Sequence, residues 1–226
     1  MILITGASKG IGKYLLERYL SQTDEIVLGT YLTTATKNKD NYVKLDVSNY
    51  NDVANFVKNN ENIFNNITLI NCAGINYNSF THKSDEVQWK KVIDINLHGT
   101  YNMIRNLLPL MRIEKFGRII NFSSVVAIKP TPGVSSYATS KSALWGLSKS
   151  VAAENAGLNI TINNINLGYS KFGMIEEVPT EYLKTIISQI PVGRLCEGQE
   201  IIDTVNYLRG NGYITGSSID LTGGLV

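Results

Sequence analysis

Two residues one helical turn apart carry side chains suited to acid–base chemistry. Tyr137 and Lys141 are four positions apart in a predicted helix that opens near Ser135, so both point to the same face. A phenol with a pKa near ~10 is a poor proton donor at neutral pH, and a fixed ammonium beside it favours the phenolate. A lowering of about three pKa units, roughly 4 kcal/mol, would make Tyr137 a usable general acid. Because such pairs also occur on solvated helices, other residues must support this interpretation.

Polar residues at two other positions could assist the pair. Ser124 lies at the end of the fifth predicted strand, and its hydroxyl could stabilise the negative charge that builds on a reacting carbonyl oxygen. Ser123 is the rival for this role, and a strand-end serine without a function is a further alternative. Asn96 lies inside a predicted helix, where asparagine is a mediocre residue. It could hold a water that relays protons to Lys141, and a buried structural role is an equal alternative.

A glycine-rich turn follows the first predicted strand and leads directly into a helix. The turn reads TGASKGIG over Thr5–Gly12. Glycines let the backbone turn tightly and approach a pyrophosphate, whose charge is met by N–H groups at the helix N-terminus. The strand–turn–helix context favours a dinucleotide site over a turn that serves packing alone. The residues predicted to contact the nucleotide here are Gly6, Ser8, Lys9, Gly10, Ile11 and Gly12.

The end of the second predicted strand indicates which dinucleotide binds. NAD sites usually offer an acidic residue there to the ribose 2′-hydroxyl, whereas this chain has Thr30 and Tyr31. Lys9 could neutralise a 2′-phosphate, Thr30 could donate a hydrogen bond to it, and the missing carboxylate removes a repulsion. Lys37 and Lys39 on the following loop could help, although loop lysines are more often solvated. The sequence therefore predicts NADP(H).

Two more strand ends complete the predicted nucleotide site. Asp46 and Val47 close the third strand, where the Asp46 carboxylate could accept a hydrogen bond from the adenine amino group. Asn71, Ala73 and Gly74 close the fourth strand, where small residues let the backbone approach the ribose. Taken separately, Asp46 could be a helix N-cap and Asn71 a turn residue. Their placement at consecutive strand ends favours the nucleotide-binding interpretation.

An α/β framework is needed to bring these residues together. Short β-branched runs alternate with longer amphipathic stretches, a pattern typical of a parallel sheet with crossover helices, and we expect a single domain over residues 1–226. The segment 168–197 breaks the alternation after a strand end and holds a short helical patch around Glu181–Gln189, so it is a candidate substrate lid, with a loop that merely covers a hydrophobic edge as the alternative. The predicted strands lie near 1–5, 25–30, 41–46, 67–72, 117–123, 159–166 and 217–221. The predicted helices lie near 10–21, 50–60, 85–112, 136–156 and 198–208.

Composition argues against several other classes of protein. The net charge is +2 with no long run of one sign, so we expect neither a nucleic-acid partner nor a polybasic membrane anchor. No stretch approaches the ~20 apolar residues of a membrane helix. Cys72 and Cys196 are far apart, which argues against a disulfide framework or a zinc site and suits a reducing cytoplasm. His82 and His98 show no metal-ligand pattern, and we expect no metal.

Together these residues resemble the short-chain dehydrogenase/reductase family, in its compact single-domain branch. The resemblance spans essentially the whole chain, with its motifs in order at family-like spacing, and it is nearest in look to the β-ketoacyl-carrier-protein reductases. A lysine or arginine in the glycine turn of those reductases implies NADPH. The motifs that carry the resemblance are Thr5–Gly12, Asn71–Gly74, Asn96, Ser124, Tyr137–Lys141, Pro191–Arg194 and Tyr213–Gly224.

The resemblance implies a Rossmann-type three-layer sandwich with a seven-stranded parallel sheet, assembled as a homotetramer or homodimer. By that similarity Tyr137 is the acid, and Lys141 grips the nicotinamide ribose while lowering the tyrosine pKa. Ser124 then orients the carbonyl, and Asn96 supports the proton-relay water. The implied activity is an NADPH-dependent oxidoreductase acting on a carbonyl or hydroxyl substrate, with a 3-oxoacyl thioester as one candidate.

The chain departs from the family pattern after the sixth predicted strand. Leu167 replaces the usual proline before Gly168, and Phe172 stands where a threonine commonly clamps the nicotinamide amide. Gly168 and Ser170 are the cofactor contacts predicted there, with Ser170 as the substitute clamp. These changes leave room for a sugar or polyol oxidoreductase in surface-polysaccharide synthesis. A non-catalytic NADP-sensing protein is a third alternative, although the intact serine, tyrosine and lysine count against it.

Overall fold

Parallel strands form the centre of the molecule. The computed structural model describes residues 1–34, 40–173, 175 and 178–226. Within these residues, seven strands pair in the order β3-β2-β1-β4-β5-β6-β7, and every pairing is parallel. The strands are β1 (Ile2–Thr5), β2 (Val27–Tyr31), β3 (Tyr42–Lys44), β4 (Thr68–Asn71), β5 (Gly117–Ser124), β6 (Ile160–Leu167) and β7 (Ser218–Leu221).

Helices connect the strands and cover both faces of the sheet. They are α1 (Gly10–Gln22), α2 (Tyr50–Asn59), α3 (Glu86–Ile93), α4 (Gly99–Glu114), α5 (Ser135–Asn155), α6 (Thr180–Gln189) and α7 (Gly198–Gly210). Side chains cap several of them, because the first N–H groups of a helix lack partners within it. Asn49 caps α2, Asp85 caps α3, and Glu197 forms a capping box with Glu200 at the start of α7.

Two apolar clusters hold the layers together. On one face, Val53 of α2, Leu107 of α4 and Val151 of α5 pack over Leu3 and Ile119 of the sheet. The cluster on the other face buries side chains of α1 and α7 against alternate residues of the same strands. Strands buried on both faces explain the nearly continuous apolar runs in the sequence. The predicted Rossmann-type three-layer sandwich with a seven-stranded parallel sheet is confirmed.

The predicted strands and helices match the observed ones closely, with one difference near Asn96. The sequence predicts one helix over 85–112, whereas the structure has α3, a π-helical turn at Asp94–His98, and then α4. Such wide turns are rare, and they often occur at functional sites. This turn allows the Asn96 side chain to leave the helix and reach the backbone of Ile75.

The segment 168–197 lies beyond the carboxyl end of β6. It contains α6, and a short bridge between Ser170 and Cys196 ties its two ends together. The structure therefore gives this segment a helix and a closed base. None of the helices in the described ranges combines the length and hydrophobicity that crossing a bilayer requires.

Candidate active site

The candidate site lies where the strand order of the sheet reverses, between β1 and β4. In open parallel sheets, ligands bind in the crevice at the carboxyl ends of the strands beside such a point. The glycine turn after β1 and the chain after β4 line this crevice. Ser124 ends β5 next to it, and Tyr137 lies in the first turn of α5.

Tyr137 and Lys141 share one face of α5, as their spacing predicted. Both residues are buried, and the Lys141 Nζ atom lies 5.6 Å from the centroid of the Tyr137 ring. A backbone group fixes the position of the lysine ammonium, because Nζ donates a 2.6 Å hydrogen bond to the carbonyl oxygen of Phe122. That carbonyl belongs to β5, two residues before Ser124. The strand therefore holds the Lys141 ammonium next to the candidate site.

The pKa of Tyr137 differs from its expected value. Burial raises the pKa to about 12, because the phenolate loses its hydration, and the neighbouring Ser124 hydroxyl lowers it only in part. The expectation that Lys141 lowers this pKa by about three units is therefore wrong for the structure described here. The phenol is neutral near pH 7, which is the form that donates a proton.

Burial also changes the acid–base behaviour of Lys141. Loss of hydration lowers its pKa to about 8, and the nearby thiol of Cys72 opposes this shift. A pKa of about 8 makes this charge sensitive to mildly alkaline pH, in contrast to the fixed ammonium expected from the sequence. The cause is the same for both members of the pair, because a buried ion of either sign is penalised.

The structure distinguishes the two candidate serines. The Ser124 hydroxyl lies beside the phenol, where it lowers the pKa of Tyr137, and it accepts a 3.4 Å hydrogen bond from the N–H of Val126. Ser123 instead donates to the carbonyl oxygen of Lys141 at 3.1 Å, which ties β5 to α5. Ser124 is thus the serine placed beside the phenol. Ser123 has a structural partner.

The side chain of Asn96 is occupied by protein partners. Its Nδ2 group donates to the carbonyl oxygen of Ile75 at 2.9 Å and to Ser140 Oγ at 3.0 Å, and its Oδ1 atom accepts from the N–H of Ile75 at 2.9 Å. Both amide hydrogens are therefore used. These contacts favour the structural alternative, in which Asn96 joins the chain after β4 to α5.

The glycine turn folds tightly between β1 and α1. Gly6 and Gly10 adopt φ angles of +64° and +54°, a region that favours glycine. A Cβ atom on Gly6 would lie 2.7 Å from the Cα atom of Ala73, so the turn and the chain after β4 touch. Gly12 is buried in the first turn of α1, with Ser8 and Ile11 half-buried beside it. The backbone N–H groups at the start of α1 are available to an anion.

The residues predicted to recognise a 2′-phosphate fall into three groups. Lys9 is exposed at the N-cap position of α1, where a cation can meet a phosphate. Thr30 is only 1% exposed, which leaves almost no surface for a phosphate. Its carbonyl oxygen instead accepts from the N–H of Ala7, tying the turn to β2. Lys37 and Lys39 lie outside the described residues.

A cleft of about 600 Å³ lies beyond the end of β3. Its lining includes Leu32, Asp46 and Ile95. The Oδ1 atom of Asp46 accepts two hydrogen bonds from Ser48, so the carboxylate closes a local turn, while the helix cap of α2 is Asn49. This position suits the predicted contact with adenine.

The predicted contact residues next to that cleft and after β4 differ in how much of their surface a ligand could reach. Val47 packs its side chain into the core, so only its backbone could serve. Asn71 is buried and donates to Asn121 Oδ1 at 2.8 Å, which is a contact within the sheet. Ala73 is half-buried and Gly74 is exposed in the crevice.

The contacts predicted after β6 are arranged differently from the expectation. Ser170 is 5% exposed and donates to the carbonyl oxygen of Phe172 at 3.1 Å, so the structure does not support it as a substitute amide clamp. Phe172 packs on Tyr14 of α1, with ring centroids 4.7 Å apart. Gly168 lies against Thr222, where a Cβ atom would approach the Thr222 Cα to 3.0 Å. The segment is therefore anchored on α1 through an aromatic contact.

Several groups that shape the site could not be identified from the sequence. The Phe122 carbonyl that holds Lys141 is a backbone group, and any residue type would provide it. Ser140 was part of the Tyr137–Lys141 motif, but its bond to Asn96 depends on the approach of two distant helices. Tyr14 appeared as an ordinary residue of α1. Amphipathic spacing places it on the buried face but does not identify its partner.

Comparison with known proteins identifies the family. Residues 1–182 match the short chain dehydrogenase family. The chain belongs to the short chain dehydrogenase family. Membership makes it an oxidoreductase and implies a nicotinamide cofactor.

Relatives within the short chain dehydrogenase family cover nearly the whole chain. The 3-oxoacyl-(acyl-carrier-protein) reductase FabG of Thermotoga maritima is 32% identical over 240 residues, which cover 99% of this chain and 96% of that protein. The acetoacetyl-CoA reductase of Rhizobium meliloti is 36% identical over 233 residues, covering 98% and 96%. The similarity therefore includes the segment after β6.

Solved structures of short chain dehydrogenases match equally well. The 3-oxoacyl-(acyl-carrier protein) reductase from Brucella melitensis has a TM-score of 0.89 at 28% identity, covering 99% of this chain and 90% of that one. The aldohexose dehydrogenase of Thermoplasma acidophilum has a TM-score of 0.90 at 28% identity, covering 99% and 92%. The same fold thus serves reductases and dehydrogenases whose names specify different substrates.

The residues of the crevice fit a nicotinamide cofactor. Gly74 leaves open space that a side chain would fill, since a Cβ atom there would lie 3.3 Å from Asn96 Oδ1 and 3.6 Å from Lys141 Nζ. The glycine turn offers N–H groups for a pyrophosphate, with the exposed ammonium of Lys9 beside it. A cleft at the end of β3 can take the adenine.

Proposed function

We propose that this short chain dehydrogenase is an NADPH-dependent carbonyl reductase. The observation that carries the proposal is the buried Tyr137 phenol, with the Ser124 hydroxyl beside it and the Lys141 Nζ atom 5.6 Å from its ring centroid, at the crevice where this fold binds ligands. A neutral phenol beside a hydroxyl can donate a proton and stabilise a developing oxyanion. A sensor that only binds the cofactor needs no such arrangement.

The proposed roles follow from the contacts of each residue. Bound NADPH supplies the hydride. Ser124 holds the substrate carbonyl by a hydrogen bond, and Tyr137 donates its proton to the carbonyl oxygen. Lys141, oriented by the Phe122 carbonyl, holds the ribose and stabilises the phenolate that remains. Asn96 keeps Ser140 and the chain after β4 in place around this lysine.

Lys9 is proposed to select NADPH, because its exposed ammonium lies in the glycine turn. Lys9→Ala is expected to weaken NADPH binding by about tenfold or more, since a charge-assisted hydrogen bond to phosphate is lost, and to leave NADH binding unchanged. Fluorescence titration with both cofactors measures this. Lys13→Ala is the matched control, because Lys13 is an exposed lysine of α1 that pairs with Glu17 at 3.7 Å. Equal losses for NADPH and NADH would contradict the assignment.

A 3-oxoacyl thioester is the proposed substrate, supported by the names of the bacterial relatives. The test is a screen of NADPH oxidation across ketoacyl thioesters, keto sugars and simple ketones. Turnover of the thioester with kcat/KM at least about tenfold above the others is expected. A preference for sugars would favour the second candidate, a sugar or polyol oxidoreductase. The structural likeness to an aldohexose dehydrogenase supports that alternative.

The segment 168–197 is proposed to be a substrate lid anchored by the Phe172–Tyr14 contact. Phe172→Ala is expected to speed proteolytic cleavage within the segment by about 2–12-fold, because such ring pairs contribute roughly 0.5–1.5 kcal/mol against opening. Mass spectrometry of timed digests locates and measures the cleavage. Phe80→Ala, which removes an exposed ring near His82, is the control. Unchanged cleavage in Phe172→Ala would show that the ring does not anchor the lid.

Three further features belong to the same proposal. The chain acts as a single domain over residues 1–226, because both faces of one sheet carry the apolar clusters. It assembles as a homotetramer or homodimer, as the family resemblance implies. It works in the cytoplasm, where its two free thiols, Cys72 and Cys196, stay reduced.

A further inference from the structure

A row of buried polar side chains crosses the sheet below the candidate site. Strand register sets Asn71 of β4 beside Asn121 of β5, and Asn121 beside Asn164 of β6. Ser218 of β7 continues the row, and Ser148 of α5 meets it from the face covered by that helix. Asn121, Asn164 and Ser148 are 0% exposed. Burying such groups is unfavourable unless each one is hydrogen-bonded.

The hydrogen bonds of this polar row run in one direction. Asn71 Nδ2 donates to Asn121 Oδ1 at 2.8 Å. Asn121 Nδ2 donates to Ser148 Oγ at 3.1 Å and to Asn164 Oδ1 at 3.3 Å. Ser148 Oγ donates to Asn164 Oδ1 at 2.8 Å, and Asn164 Nδ2 donates to Ser218 Oγ at 3.1 Å. Because the Asn121 and Asn164 amides can satisfy these partners in only one orientation, the row holds Ser148 at one height on the sheet.

The buried face of α5 offers few apolar side chains that could fix its position. Small or polar residues dominate this face; Leu144 and Val151 are its fully buried large aliphatic side chains, and Leu147 packs half-buried against the same core. Large apolar side chains interlock with those of the sheet and so prevent a helix from sliding along its axis. A face of small side chains interlocks less and resists sliding less. Directional hydrogen bonds must then set the axial position. Ser148 lies about two turns beyond Lys141 and three beyond Tyr137, on the same face.

We propose that Ser148, held by Asn121 and Asn164, is a positioning residue that sets α5 along its axis and keeps Tyr137 aligned with Ser124. Asn121 lies on β5, the strand that ends in Ser124, so one strand carries both the anchor and the serine. Other bonds also join α5 to the sheet: Ser123 donates to the Lys141 carbonyl, Lys141 donates to the Phe122 carbonyl, and Trp145 Nε1 donates to Asn166 Oδ1 at 3.0 Å. A displacement of about 1 Å at reacting groups can cost about 10²-fold in rate. This inference rests on the proposed role of Tyr137 as the proton donor.

Ser148→Ala tests the proposal, because it removes one donor and acceptor with little change in volume. We expect kcat to fall about tenfold, with the KM of the carbonyl substrate within about twofold, since the bound substrate still meets Ser124. A crystal structure of the variant is expected to show the Tyr137 hydroxyl displaced from Ser124 by about 0.5 Å or more. If Ser148→Ala fails to fold, Asn164→Ala removes the acceptor of Ser148 and takes its place.

Asn155→Ala is the matched control on the same helix. Asn155 is 1% exposed, donates to the Val151 carbonyl at 2.7 Å and accepts from Arg112, at the end of α5 far from Tyr137. Its loss is expected to lower Tm and leave kcat unchanged. An unchanged kcat and an unmoved Tyr137 in Ser148→Ala would overturn the proposal, as would an equal loss of kcat in Asn155→Ala. A wild-type protein that reduces no carbonyl would contradict the proposed function, while the crystallographic shift would still decide the positioning role.

Discussion

Tyr137→Phe is expected to lower kcat for carbonyl reduction by about 10²–10⁴-fold, because it removes the group that donates the proton. The phenol is neutral at every pH below its raised pKa of about 12, so in wild type the donor is present across the ordinary range of assay pH. The ring remains, and the buried packing of α5 should change little. NADPH oxidation under substrate saturation measures the effect.

Binding and folding controls separate this loss from structural damage. NADPH affinity should weaken by no more than about tenfold, the effect of one lost hydrogen bond. Tyr101→Phe makes the same chemical change on α4, where the tyrosine is 45% exposed, and its kcat should match wild type. A Tyr137→Phe protein with full turnover would assign the proton transfer to another group.

Lys141 is expected to set the alkaline limit of activity. Its pKa is lowered to about 8 by burial, so the ammonium is present below pH 8 and is lost as the pH rises through that value. The charge stabilises the phenolate left after proton transfer, and kcat/KM for reduction should therefore fall above about pH 8, approaching tenfold per pH unit. Lys141→Met should lower kcat/KM by about 10²–10³-fold at pH 7.

Lys141→Arg tests whether the titration belongs to this residue. A guanidinium stays charged to well above pH 10, so the fall in kcat/KM should move upward even if the maximal rate is reduced. The measurement is a pH profile of both proteins at limiting substrate. An unchanged midpoint near pH 8 in Lys141→Arg would place the titrating group elsewhere.

Local sequence patterns determined the elements of this protein and the types of residue in its site. Alternation of apolar runs with amphipathic stretches predicted the strands and most helices, since side-chain periodicity is a property of the chain itself. The glycine turn was also predictable, because φ angles above zero, as at Gly6 and Gly10, favour that residue type. The spacing of Tyr137 and Lys141 placed them on one helix face without any knowledge of what lies opposite.

Burial and long-range partners came only from the folded arrangement. The raised pKa of Tyr137 arises from its surroundings, and the sequence shows the lysine but not the lost hydration. Ser124 is preferred over Ser123 because the Ser123 hydroxyl is already bonded to the backbone carbonyl of Lys141 in α5. The partners of Ser148 depend on strand register. Such properties depend on residues far apart in the chain, and only folding brings those residues within hydrogen-bonding distance.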